Sequence, residues 1–430
     1  MKRFTAMFLA AVIACGIMGC QSKPAEQSQA VTETDAATTG DTQSAASGEQ
    51  TTIQMWYHIS PDQATVLLGM LDEFQQLNPD IKVETQSVPF AEIKKQLSIG
   101  VAADQLPDVT LCDTVDNVSF AAMGAAVDVT AEVEAWGEMN SYFDAPRNST
   151  MYEGKYYGVP YYSNCLAIMY NKDIFDRMGV EYPTDDWTWD DFKEKVKATT
   201  DKENNTFGLT MCLFKSEEGT FNVLPFVWQA GADYDNLDSP EALEAFEMIN
   251  DFYQAGDMSK ELIAMTQADM CAALFATDKS AMMVAGSWLN TNIQNENPDL
   301  NYGVVTFPTN KNSASAIGGG NIMMMKDTNK EASWKLMEFL SSKENNAKFC
   351  EDCGYISPRE DAVADSKLWS EDPILSVYTK QLALARARGP HPKWPEISSA
   401  IQFAYQDMLS GSKTAEEALK EAAAQIAEIK

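Results

Sequence analysis

Hydrophobic and polar positions divide the chain into three regimes. An apolar run from Phe8 to Ile17 follows the basic Lys2 and Arg3 and ends at the small Gly19 before Cys20, the pattern of a secretory signal. The run falls short of the roughly 18 apolar residues that a membrane-spanning helix needs, and no later stretch reaches that length. Gln21 to Gln50 has no apolar period and consists largely of Ser, Thr, Ala, Gln and acids, so it cannot bury enough surface to order itself and is expected to be a tether. As a random coil it would reach about 30 Å.

Order begins at Ile53. Thr52 to Tyr57 alternates as a strand, and Ser60-Pro61-Asp62-Gln63 supplies a capping serine, a proline at the first helical position and a glutamine three residues after the cap. Val66, Met70, Phe74 and Leu77 then recur at helical spacing until Asn78-Pro79 stops the helix, and Ile81-Lys82-Val83 alternates again. A helix over Phe90 to Ile99 and a short apolar strand of the buried, parallel type over Pro107 to Leu111 follow. Later signals are a strand at Leu166–Met169, a helix Asp173–Met178 closed by Gly179, and a helix capped by Thr188. Strands are expected at Asn301–Phe307 and Ile322–Met325, a helix at Glu331–Leu340, and a last helix after Thr414 with Ala418, Leu419, Ala422, Ile426 and Ile429 on its apolar face. The fold class is α/β. About 380 residues beyond the linker exceed what one core usually supports, which predicts two domains.

Charge narrows the partners. Of 32 Lys and Arg residues, Lys2 and Arg3 leave with the signal, so 30 basic residues face 63 acidic ones. Such a surface repels phosphate and argues against nucleic acid and anionic lipid as partners. Of eight cysteines, Cys15 leaves with the signal and Cys20 is the lipid candidate. Cys112, Cys165, Cys212 and Cys271 lie in apolar runs and are expected in the core. Cys350 and Cys353 form a C-x-x-C where a helix enters a loop, which suits a local disulfide or two free thiols better than a redox turn or half a zinc site. With only His58 and His391 in the chain, no metal and no cofactor are expected.

Ile17-Met18-Gly19-Cys20 resembles a bacterial lipobox, in which cleavage leaves the cysteine to carry the lipid that holds the protein at the membrane. The landmarks beyond it resemble, in order, those of the extracellular solute-binding proteins of ABC importers, the family that includes maltose-binding protein. They are Trp56; Phe74 with Asn78-Pro79-Asp80-Ile81-Lys82-Val83; Pro107-Asp108-Val109; Gly154 to Pro160; Tyr170-Asn171-Lys172-Asp173-Ile174-Phe175; Trp187 to Phe192; Gly286-Ser287-Trp288; and Gly318-Gly319-Gly320. The resemblance implies a two-lobed periplasmic-binding-protein type II fold with three hinge crossings, near Tyr161–Asn164, Ser315–Gly320 and Ser357–Ala362. It implies an N-lobe of 51–162 and 317–360, a C-lobe of 163–316 and 361–430, and ligand in the cleft between them. The partners it implies are a small carbohydrate and the permease subunits of an importer, served by a monomer that is not an enzyme.

A sugar cleft needs flat aromatic faces for C–H groups and a few polar groups for hydroxyls. Trp288 follows a strand through Gly286-Ser287, and its counterpart in the family stacks on sugar. Trp56 and Tyr57 end the first strand, where α/β folds place ligands, although alternation turns one of them inward. Asp113 and Asp116 follow the Pro-Asp-Val strand; Asp116 could instead cap the next helix. Tyr162 and Asn164 sit at the first crossing, where the family often has an acid at the place of Asn164. Asn222 and Trp228 match a segment that supplies cleft contacts, although Trp228 equally suits a helix core. Gly319, within Gly318 to Gly320, lets backbone approach ligand or serves as a turn. Trp394 stands where the family's last aromatic contact lies. Two alternatives remain: the same fold holding a polyamine, peptide or metal complex, and a secreted glycan-active enzyme, which paired carboxylates near aromatics would also suit.

Overall fold

The computed structural model describes residues 50–429. The signal segment, Cys20 and the linker as far as residue 49 lie outside the described residues.

Local signals set the first elements. Strand β1 (Thr51–Tyr57) turns Ile53, Met55 and Tyr57 inward and leaves Thr52 and Gln54 exposed, the alternation of a strand covered on one face. Ser60 then caps the helix Pro61–Leu77: its backbone N–H donates to Gln63 Oε1 at 3.1 Å, and its hydroxyl accepts from the Gln63 backbone at 3.5 Å. Strand β2 (Ile81–Ser87) runs parallel to β1, and the helix Phe90–Ala103 leads into β3 (Val109–Asp113), all five residues of which are buried. A short hairpin joins β4 (Met151–Tyr152) to β5 (Lys155–Tyr156). Beyond it run β6 (Val159–Asn171), β7 (Phe207–Thr210), β8 (Ser280–Gly286), β9 (Tyr302–Val305), β10 (Ser315–Met324) and β11 (Ala385–Ala387).

Strands hydrogen-bond in the order β2-β1-β3-β10-β6-β8-β7, with β11 on β10 and β9 on β6. The first half of β6 pairs with β10, from Val159 opposite Ile322 to Cys165 opposite Ile317, whereas its second half, Leu166 to Tyr170, pairs with β8. Two α/β halves, one on β1–β3 and the other on β7–β9, are therefore joined by continuous strands. Both β6 and β10 are longer than their apolar segments predict. Buried polar or small residues (Ser163 and Asn164 in β6, Gly318 to Gly320 in β10) interrupt the apolar signal, while neighbouring strands supply the pairing.

Capping boxes also form at Thr188 with Asp191 and at Thr414 with Glu417. The last helix, Ala415–Glu428, buries Ala418, Leu419, Ala422 and Ile426. Cys112, Cys165, Cys212 and Cys271 are buried in the core, and Cys350 and Cys353 are buried free thiols. Among the described residues no helix is long and apolar enough to cross a membrane.

Candidate ligand-binding cleft

Two adjoining cavities open where the halves meet, and both are lined by Phe90, Asp113, Glu217 and Glu218. The first, about 280 Å³, is walled by Trp288, Phe221, Tyr162, Tyr355, His58 and Asn164. The second, about 430 Å³, adds Lys94, Asp116, Lys215 and Ser398.

Aromatic faces line the first cavity. Trp288 lies nearly parallel to Phe221, at 6.3 Å between centroids and 21° between planes, and Tyr162 stacks on Tyr355 at 4.2 Å. Small residues make room for both. A side-chain carbon on Gly286 would fall 1.7 Å from the Trp288 ring, and one on Gly320 would fall 2.4 Å from the Tyr162 ring. Gly319 has φ +136 and lies against the Tyr162 carbonyl, so neither its torsion nor its space admits a side chain.

An ionic cluster divides the cavities. Arg388, just past β11, donates from Nη2 to both Asp113 oxygens at 2.9 and 3.1 Å and from Nη1 to Glu217 Oε1 at 2.6 Å. Asp113 ends β3, and Glu217 opens the helix Glu217–Ala230, so the guanidinium ties the two halves together. Its Cζ also lies 4.3 Å from the Phe221 ring centre. Glu217 is saturated further by the Trp394 indole N–H at 3.0 Å and the Ser398 hydroxyl at 2.5 Å. In the second cavity Lys94 contacts Asp116 at 2.5 Å. Burial pushes the Asp116 carboxyl up to about 6 despite that ammonium. Burial also lowers His58 to about 4 against the pull of Asp113, so this histidine is neutral at pH 7.

Asp113, Tyr162, Asn164, Trp288 and Gly319 line the first cavity, and Asp113 and Asp116 the second. Asp116 pairs with Lys94 instead of capping a helix. The remaining candidates line neither cavity. Tyr57 points into the core, and Trp56 packs, partly buried, on the opposite face of β1. Asn222 holds backbone, accepting from Cys212 N–H at 3.1 Å and donating to the Glu218 carbonyl at 3.0 Å. Trp228 is buried with its N–H donating to Asp233 at 2.8 Å. Trp394 is fully buried and reaches the site only through Glu217.

Arg388, Glu217, Glu218, Phe221 and His58 escaped the sequence reading. His58 directly follows the Trp56-Tyr57 strand end, so its position carried a signal. The pairing of β11 with β10 that delivers Arg388 is long-range and left none.

Two α/β halves around a cavity walled by stacked aromatics and carboxylates define a two-lobed solute-binding protein of the type II periplasmic class. The family model for bacterial extracellular solute-binding proteins matches residues 69–377, and the chain belongs to that family. It acts outside the cytoplasm, as the family does. The structure resembles an ABC transporter solute-binding protein from Thermotoga lettingae TMO solved with alpha-D-tagatose: TM-score 0.82, 27% identity, covering 88% of this chain and 100% of that one. A binding protein of Brucella abortus strain 2308 is 29% identical over 82% of this chain and 86% of its own. The sn-glycerol-3-phosphate-binding periplasmic protein UgpB of Escherichia coli O1:K1 is 24% identical over 86% of this chain and 90% of its own.

Proposed function

We propose that the protein captures a sugar or oligosaccharide in this cleft and delivers it to the permease of an ABC importer, with no bond chemistry of its own. The observation that carries the reading is the first cavity, where the Trp288 and Phe221 faces suit pyranose C–H surfaces and carboxylate and amide oxygens stand ready for hydroxyls. The Thermotoga protein's tagatose is an uncharged polyhydroxylated solute, which supports the same class.

In this reading residues 51–162 with 317–360 and residues 163–316 with 361–430 are lobes that close by bending where β6 and β10 pass between them. Ligand favours the closed form only by contacts made there. Lipid on Cys20 and the acidic linker would keep a monomer near its importer yet free to dock.

A thermal-shift screen of the full chain against monosaccharides, oligosaccharides, polyamines and peptides tests the proposal. Ligand at about 100 times its Kd stabilises the folded state by roughly 2.7 kcal/mol, so a sugar should raise Tm visibly. Stabilisation by an amine or peptide with no sugar active would sink the sugar reading.

A further inference from the structure

Among the Lys and Arg residues, Arg388 alone lines the first cavity, and Lys94 and Lys215 line the second. Arg388 is shared by Asp113 and Glu217, and Lys94 is held by Asp116. Lys215 has no carboxylate partner among the described residues; its ammonium lies 3.2 Å from the centre of the exposed Phe403 ring, at the second cavity and not the first. Glu218 differs from the other acids. It lines both cavities and has no cation partner among the described residues. Its Oε2 accepts from the Gln267 backbone N–H at 3.0 Å and faces the Cys212 thiol at 3.8 Å, while Oε1 has no protein donor. The charge that acts on it is the like charge of Asp269.

Other acceptors join it. Asn164 Oδ1 and Gln267 Oε1 are buried, without a hydrogen-bond partner, and belong to residues lining the first cavity. A native fold rarely leaves buried acceptors unpaired unless something else pairs them, and here a cavity lies against both. On the donor side the first cavity's lining leaves Arg388 Nε, on a guanidinium already neutralised twice, and the uncharged ring's His58 Nε2 without partners.

Resting on the solute-capture reading, we infer that Glu218, Asn164 Oδ1 and Gln267 Oε1 form an acceptor-rich patch that selects an uncharged, donor-rich polyol and refuses phosphorylated ones. A phosphate ester would bring acceptors and negative charge to a cavity lined by Asp113, Glu217 and Glu218 against Arg388 alone among Lys and Arg, whereas sugar hydroxyls would satisfy all three oxygens. The chain would thus differ in ligand class from its glycerol-phosphate-binding relative.

The test uses the full chain in thermal-shift and calorimetric titrations with sn-glycerol 3-phosphate and D-tagatose 6-phosphate beside D-tagatose and maltose. Neither phosphate ester should move Tm at millimolar concentration; stabilisation by either overturns the inference. Failure of every neutral sugar would instead count against the sugar reading, since the phosphate arm is scored separately. Glu218→Gln supplies a readout that needs no ligand. The amide keeps an acceptor for the Gln267 N–H and removes an unpaired, desolvated charge, so the unliganded Tm should hold or rise by about 1–3 °C. A fall of several degrees would make Glu218 a structural residue and defeat its assignment to ligand.

Discussion

Arg359 and Arg388 are both buried, both face two carboxylates and both lie over aromatic rings, but their guanidinium groups are completed differently. Arg359 donates from Nε and Nη2 to Asp361 at 3.0 and 2.9 Å, from Nη1 to the Ser341 carbonyl at 3.2 Å and from Nη2 to Glu138 at 2.6 Å, with the Tyr142 and Trp136 rings beside it. Every nitrogen is used, and the group lines neither ligand cavity. Arg388 uses Nη1 and Nη2 and leaves Nε without a partner, against the cavity that Trp288 and Tyr162 wall. Arg359 is thus fully paired, and Arg388 keeps one unpaired donor in a residue that lines the first cavity, so a ligand role for Arg388 predicts that substitutions at the two arginines part company.

The largest effect should separate the two arginines most cleanly. Arg359→Met strands Glu138 and Asp361 and should cost about 3 kcal/mol in urea unfolding, the lower end for a broken buried pair because both acids are partly exposed. Sugar affinity of the folded protein should stay within about twofold; a tenfold loss would dissolve the contrast between a structural and a ligand-facing arginine.

Next comes the aromatic wall. Trp288→Ala should weaken binding of the stabilising sugar by about 2 kcal/mol, roughly 30-fold, with a smaller stability loss because the ring is only partly buried. Unchanged affinity by calorimetry would remove this wall from the site.

What the sequence revealed follows the range of each interaction. The Ser60, Thr188 and Thr414 caps are complete within four residues and were legible, as was Asp113, which needs only the end of a short buried strand. Trp228 and Trp394 show where residue type fails. A tryptophan that stacks on ligand and one that buries its ring while donating to Asp233 or Glu217 look alike in one dimension. Arg388 was invisible because its role depends on β11 joining β10 and on Asp113 and Glu217 converging from separate elements. Glu217 and Glu218 read simply as acids in a helix's first turn, where the dipole alone would explain them.

A gentler substitution sharpens the comparison. Arg388→Lys keeps the charge but loses the two-pronged fork and Nε, so affinity should fall about tenfold and stability by roughly 1 kcal/mol. Arg359→Lys should show a stability loss without the affinity loss. Equal affinity losses in both would mean that each arginine acts only through lobe geometry.

The last contrast concerns pH, because neither arginine titrates and the cleft draws its pH dependence from His58 and from the buried acids Asp116 and Glu218, whose carboxyls burial pushes up. His58 is lowered to about 4, so between pH 4 and 6.5 the unfolded chain binds a proton that the folded one does not, and this residue makes stability rise with pH across that window. Asp116 is raised to about 6, so between about pH 4 and 6 the folded chain holds the extra proton, and stability falls as pH rises. The two contributions oppose each other over their shared range. His58→Gln removes the rising one and should leave stability declining from pH 4 to 6 relative to the parent; Asp116→Asn should do the reverse, both read in urea titrations at successive pH values. Parallel profiles for parent and both variants would show that these groups titrate as in the unfolded chain, and that the cleft wall is wetter than its packing implies.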